Sequence, residues 1–343
     1  MRSIIALSNV FNKHKFRNTL VLVAIFLLVL CSTQTGFSQA ISWGTPQQDT
    51  TTPIGGADGA DGAAAAVFNN KLYAVYAGAT VNSAGNADVD LAYNTDGGVT
   101  YPNKSTIASS ATNVLPGIAV FNNLLYVAYV TQLTGATRLE FQYSSDGIHW
   151  SSANPGCDPG FEVDGSPSLA VYKGFLYLGI RDHTTQAMVI CQVAANNQTT
   201  VEEHANVTLN FNPTFAVFNN LLYVATESND DSHTIYLYTS ADGSTFELNT
   251  GASSDQTSRA PSMAVHNNIL YLGFRENDGS IAFLYKYSTD GVNFSTAINP
   301  HWQVNGPPIL LQVNNLTGSP NNGQLYMYYS SFSPTHLCSN HGE

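Results

Sequence analysis

Residues 119–129 read AVFNNLLYVAY, and nearly the same words stand at 66–76 (AVFNNKLYAVY), 170–180 (AVYKGFLYLGI), 216–226 (AVFNNLLYVAT) and 264–274 (AVHNNILYLGF). The copies begin 53, 51, 46 and 48 residues apart. A period of this size marks a repeat architecture, either propeller blades or a solenoid. A sixth, worn copy lies in ILLQVNNLTGSPNNGQLYMYY, with an insertion at its turn. Within each copy the Asn-Asn or Lys-Gly pair supplies the positive φ of a two-residue hairpin, joining a strand A that ends in Ala-Val to a strand B built on Leu-Tyr. Strand B is apolar at almost every position, as in a sheet covered on both faces.

A second phrase recurs about twenty residues after the first: YNTDGGVTY (93–101), YSSDGIHW (143–150), YTSADGSTF (238–246) and YSTDGVNF (287–294). Each follows a candidate strand C and leads into a strand D opening on an aromatic residue. Four strands per unit of about fifty residues predict an all-β, six-bladed β-propeller of antiparallel blades. Inner strands are expected near 63–68, 116–121, 167–172, 213–218, 261–266 and 308–313. The last unit stops at Glu343 without a strand D, while ISWGTP at 41–46 places Trp43 where other units have Trp150 or Phe294. The segment after the leader is therefore expected to supply that strand and close the ring, hiding both sheet edges.

Residues 1–40 read as a signal peptide. Arg2, Lys13, Lys15 and Arg17 precede the twelve-residue apolar run Leu20–Cys31, and Ser38-Gln39-Ala40 offers small residues for cleavage. Twelve residues span about 18 Å of helix, short of a bilayer core, which favours a cleaved signal over an anchor. The expected product, 41–343, is secreted, periplasmic or at the cell surface, with no membrane span. It carries eight basic against 24 acidic residues, a net charge near −16 that excludes nucleic acid as a partner. Of its three cysteines, Cys157 and Cys191 fall in one unit and form the expected disulfide, with structural thiols as the alternative. No spacing of Cys and His marks a zinc site.

The second phrase resembles the Asp-box, or BNR repeat, of sialidases and related propellers. Asp96, Gly97, Gly98 and Thr100 match best, while the copies at Asp146, Asp242 and Asp290 are one residue shorter. Four copies of one phrase serve architecture: the Asp accepts backbone N–H bonds across the C–D turn, and the aromatic plugs between blades.

These turns share one end of the blades with the A–B hairpins, so the B–C and D–A loops share the other. The position just after strand B holds Ala77, Val130, Arg181, Glu227, Arg275 and Ser330 in turn. Arg259 and Asp164, in D–A loops, belong to the same end. Arginines converging with a glutamate could fork onto a carboxylate or sugar hydroxyls; equally, Arg181, Glu227 and Arg275 could form an ion-pair chain bracing the blades. The sialidase resemblance implies an arginine triad, here Arg181, Arg259 and Arg275, with Glu227 as partner of a tyrosine nucleophile and Asp58, Asp61 or Asp164 as acid. The family's first-blade Arg signature is missing, since that stretch reads DGAAAAVF. No cofactor is implied. NSAGNADVD, ESNDDSH and ENDGS could hold calcium, but none has the spacing of a defined calcium loop. A carbohydrate-binding module facing extracellular glycan or a protein surface is the leading function, with a sialidase-like hydrolase or an interaction scaffold as alternatives.

Overall fold

The computed structural model describes residues 41, 43, 47–53, 62–97, 100–133, 136–153, 162–195, 199–251, 255–319, 322–330 and 336–342. The expected signal peptide, Cys157, Asp58 and Asp61 lie outside them. Among the described residues every regular element is a strand, and the strands group into six antiparallel sheets, the first two joined by one bridging pair. Sheet 1 holds Ala64–Phe68, Lys71–Val81, Ala87–Asn94 and Asn103–Thr112. Sheet 2 holds Gly117–Phe121, Leu124–Leu133, Ala136–Ser144 and Ser151–Ala153. A single pair, Thr112 with Thr131, links the outer strand of sheet 1 to the second strand of sheet 2.

Sheet 3 holds Val163–Tyr172, Phe175–Asp182, Ala187–Val193 and Thr199–Thr208. Sheet 4 holds Thr214–Phe218, Leu221–Glu227, Ile235–Ser240 and the short Glu247–Leu248. Sheet 5 holds Ser262–His266, Ile269–Arg275 and Phe283–Ser288; its outer segment pairs only through the bridges Tyr285–Ile298 and Ala282–Gln303. In sheet 6, Ile309–Gln312, Leu325–Ser330 and His336–Gly342 are followed in space by Gln47–Pro53, the first strand among the described residues.

Consecutive sheets pack face to face through shared apolar clusters. Tyr76 and Tyr101 of sheet 1 lie in one such cluster with Val313, Tyr326 and Tyr328 of sheet 6. The Tyr101 and Tyr328 hydroxyls meet at 2.7 Å inside it. Inner strands of successive sheets touch one another, and the first also touches the sixth. This is a six-bladed β-propeller, and its described strands lie within the compact unit Ser42–Glu343. Trp43 packs against Phe283, Tyr285 and Trp302 of blade 5. Trp150 plays the same part in the cluster shared by blades 1 and 2.

The hairpin pairs adopt the positive φ that the repeat demands, with 47° and 58° at Asn122 and Asn123, and 47° and 80° at Lys173 and Gly174. In three C–D turns one carboxylate oxygen gathers two backbone N–H groups. Asp146 Oδ1 accepts from Ile148 and His149, Asp242 Oδ1 from Ser244 and Thr245, and Asp290 Oδ1 from Val292 and Asn293, all between 2.7 and 2.9 Å. These bonds hold all three carboxyls well below the usual carboxylate range, led by the His149 side chain at Asp146, the Thr245 amide at Asp242 and the Asn293 side chain at Asp290. In the turn at Asp96, Asn94 Oδ1 accepts the Gly97 N–H at 3.0 Å, as the hydroxyls of Ser144, Ser240 and Ser288 accept the corresponding glycine N–H at 2.8 Å in the other three.

The strand-B tyrosines explain the invariant Gly of the phrase. A Cβ on Gly147 would lie 2.1 Å from the Tyr73 hydroxyl, on Gly243 2.0 Å from that of Tyr177, and on Gly291 1.9 Å from that of Tyr223. Each tyrosine thus reaches from one blade beneath the turn of the next. Tyr326 of blade 6 completes the series by donating to the Gly97 carbonyl of blade 1. Cys191 is disulfide-bonded.

Candidate functional site

The six inner strands surround an axial cavity of about 800 Å³. Pro116, Pro167, Pro213, Pro261 and Pro307 line it. The innermost strand of a blade has no ladder partner on the axial side, so a residue lacking N–H costs no ladder hydrogen bond there. Two guanidinium groups, those of Arg181 and Arg259, also line this cavity; among its described lining residues there is no Asp, Glu or Tyr.

Arg181 is the penultimate residue of the second strand of blade 3 and stands opposite Asp164 across the ladder. Its Nε donates to Asp164 Oδ1 at 2.6 Å, and its Nη1 donates to the Asn210 carbonyl of the following loop. Asp164 Oδ2 bonds His183 Nδ1 at 2.9 Å, so both carboxylate oxygens are engaged. From Asn210 the network crosses into blade 4: its Nδ2 donates to Glu227 Oε1 at 2.9 Å, and His233 Nδ1 meets the same oxygen. Glu227 is 0% exposed, and its Oε2 has no hydrogen-bond partner. Burial pushes its carboxyl up from the ordinary value, although the bonds from His233 and Asn210 and the charges of His233 and Arg259 pull the other way.

In blade 5, Thr257 Oγ1 bonds the carbonyls of both Arg259 and Arg275, at 2.7 and 3.0 Å, tying the D–A loop to the end of strand B. The two arginines are close enough that Arg259, after burial, depresses the Arg275 guanidinium. Arg259 Nη1 donates to the Ser258 carbonyl and Arg275 Nη1 to the Asn305 carbonyl. Arg275 Nε is buried without a partner. Among the described residues neither guanidinium has a carboxylate within ion-pair distance.

The expected Arg181–Glu227–Arg275 ion-pair chain is therefore replaced. Each group finds a nearer partner: Asp164 for Arg181, His233 for Glu227 and a backbone carbonyl for Arg275. Arg181 and Arg259 share the cavity, Arg275 stands beside Arg259, and Glu227 lies behind them in the protein. His233 and Asn210 were not singled out from the sequence. His233 was present only as the last letter of ESNDDSH, where the acidic residues drew attention. In that loop Asp230 Oδ1 accepts from Ser228 Oγ at 2.6 Å and from the Ser232 N–H at 3.0 Å, so the carboxylate shapes its own turn. No group of three or more His, Cys, Asp or Glu side chains converges on a metal position among the described residues. No helix among them is long and apolar enough to cross a membrane.

By fold the chain is a sialidase-like β-propeller. It is similar to the sialidase of Trypanosoma rangeli, solved in complex with the inhibitor DANA, at 10% identity and a TM-score of 0.57, covering 88% of this chain. The chain spans 60% of the length of that sialidase. An α-L-arabinofuranosidase from Fusarium graminearum, solved with an iminosugar inhibitor, is similar at 14% identity and a TM-score of 0.61, over 87% of this chain and 97% of its own. A subtype N10 neuraminidase-like protein from A/little yellow-shouldered bat/Guatemala/060/2010 is similar at 10% identity and a TM-score of 0.55, over 88% and 99% of the two chains. No protein-family model matches the sequence. No curated protein matches it either.

Proposed function

We propose that the propeller is an extracellular carbohydrate-binding module that holds the carboxylate of an acidic glycan at the axial mouth. The observation behind this reading is the juxtaposition of Arg259 and Arg275 with no carboxylate in ion-pair reach among the described residues. Two guanidinium groups held near each other, with Arg259 lining the cavity and Arg275 beside it, are costly unless an anion joins them, and their planar forks match a carboxylate. Arg181 lines the same cavity, with its charge shared with Asp164. Export, which the leader at 1–40 implies, would bring this face to extracellular glycan.

A sialidase-like hydrolase is the second reading, favoured by the three arginines at one end of a fold shared with glycosidases. Glycoside hydrolysis commonly needs two carboxyl groups, or a tyrosine and a carboxyl, facing the bond to be cut. Of the candidate carboxyls among the described residues, Glu227 is fully buried and Asp164 is bonded through both oxygens; Asp58 and Asp61 lie outside the described residues. Binding without turnover is the better account of that arrangement.

The test is a glycan array probed with the wild type and Arg259→Ala, beside incubation with a fluorogenic sialoside from pH 4 to 8. Selective acidic-glycan spots that the variant loses, without turnover, are expected. Release of fluorophore that the variant abolishes would replace binding by hydrolysis. An array without acidic-glycan signal would end the binding reading.

A further inference from the structure

A second cleft, of about 600 Å³, shares no described lining residue with the axial cavity. It is built from the B–C loop and the outer segment of blade 5, with Tyr329 added from blade 6. Glu276, Asp278, Asn299, Gln303, Trp302 and Tyr329 supply its chemistry. The Trp302 ring lies parallel to Phe283 at 6.3 Å and meets Trp43 at 5.5 Å with the planes 72° apart. The indole plane is thus fixed before any ligand arrives, so little conformational entropy is lost in presenting it.

The two carboxylates are each engaged through one oxygen. Asp278 Oδ1 accepts the Ser280 N–H at 2.7 Å, and Glu276 Oε2 accepts the Ser280 hydroxyl at 3.3 Å. Neither Lys nor Arg is among the described lining residues, and His301 is the one basic side chain there, so with a neutral imidazole the cleft repels anions. A pyranose ring carries an apolar C–H face suited to an aromatic side chain and an edge of hydroxyls suited to carboxylates and amides. The cleft offers both in a shallow form.

We propose that this cleft is a second carbohydrate site, selective for a neutral hexopyranose. It is independent of the arginine mouth and does not rest on the reading given for it. The charge decides the class: two carboxylates beside a fixed indole accept uncharged hydroxyls and exclude sugar acids.

An array of neutral oligosaccharides ending in galactose, glucose, mannose or N-acetylglucosamine tests the site in the mature chain. Glu276→Ala/Asp278→Ala alters a solvent-facing loop, and its thermal melt reports whether the fold is kept. Trp302→Ala removes the platform. Neutral spots that fall at least tenfold in the folded double variant and in Trp302→Ala, but persist in Arg259→Ala, are expected. Absence of neutral spots, or spots unchanged in the folded double variant, would overturn the proposal. Neutral spots lost only in Arg259→Ala would overturn it as well, by moving them to the axial mouth.

Discussion

At the residue scale, the Gly of each C–D turn answers to two constraints that substitution can separate. Gly243 has φ +85° and lies against the Tyr177 hydroxyl, whereas Gly279 has φ +83° with nothing within 4 Å of an added Cβ. Gly279→Ala is expected to lose only the left-handed backbone preference, about 1 kcal/mol. Gly243→Ala must also displace a tyrosine buried between blades, and the expected loss is about 3 kcal/mol. Urea denaturation of the two variants checks the difference. Glu227 gives a prediction of opposite character. Its carboxyl titrates above its ordinary value of 4.5 because burial disfavours the charge. Its contribution is therefore fully present below that value and is lost as pH rises through the folded-state value. Glu227→Gln should equal or exceed the wild type in Tm at pH 8, and its advantage should shrink on acidification toward pH 4. The turn aspartates run the other way. Their carboxyls are depressed from 3.8, so their stabilisation is present above that value and lost as pH falls further. Asp242→Asn should narrow the gap between wild-type melting temperatures at pH 6 and pH 3.

At the element scale, legibility followed burial. Strands A and B repeat almost word for word because both lie inside the ring, where neighbouring blades dictate side-chain size. Strand D lies outermost and ranges from Glu247–Leu248 to Thr199–Thr208; water constrains it little, so its sequence carries a weak pattern. The column Tyr73, Tyr177, Tyr223 and Tyr326 was visible as repetition. Its reach into the following blade was not, because that contact joins residues 66 to 229 positions apart. The outer strand of blade 6 was readable from Trp43, yet the paired segment itself, Gln47–Pro53, has no apolar alternation. Deleting residues 41–53 should expose the edge of His336–Gly342 and remove Trp43 from Phe283 and Trp302. A Tm fall of 10 °C or more, with new self-association by light scattering, is the expected result. An unchanged melt would mean that this pairing contributes little to stability.

At the scale of the whole molecule, the end of the ring that holds the arginines could be reasoned out from topology alone. The identity of their partners could not. Arg181 chose Asp164 across its own ladder, and Glu227 chose His233 within its own loop, because a contact inside one blade needs no alignment between blades. Isothermal titration should show that a sialylated trisaccharide binds Arg275→Ala at least tenfold more weakly than the wild type, while Arg138→Ala, on the exposed face of blade 2, changes affinity less than twofold.

The pairing of Gln47–Pro53 with His336–Gly342 also sets an order of events during biosynthesis. Blades 1 to 5 are each contiguous in the chain and can assemble as they leave the ribosome. The sixth must wait, since its outermost piece precedes the other five blades in the chain and its neighbour follows them. Bringing such distant segments together from a disordered polymer would cost about 5 kcal/mol in entropy. Once five modules have docked side by side, most of that cost has vanished, and the waiting N-terminal piece becomes the latch that ends folding.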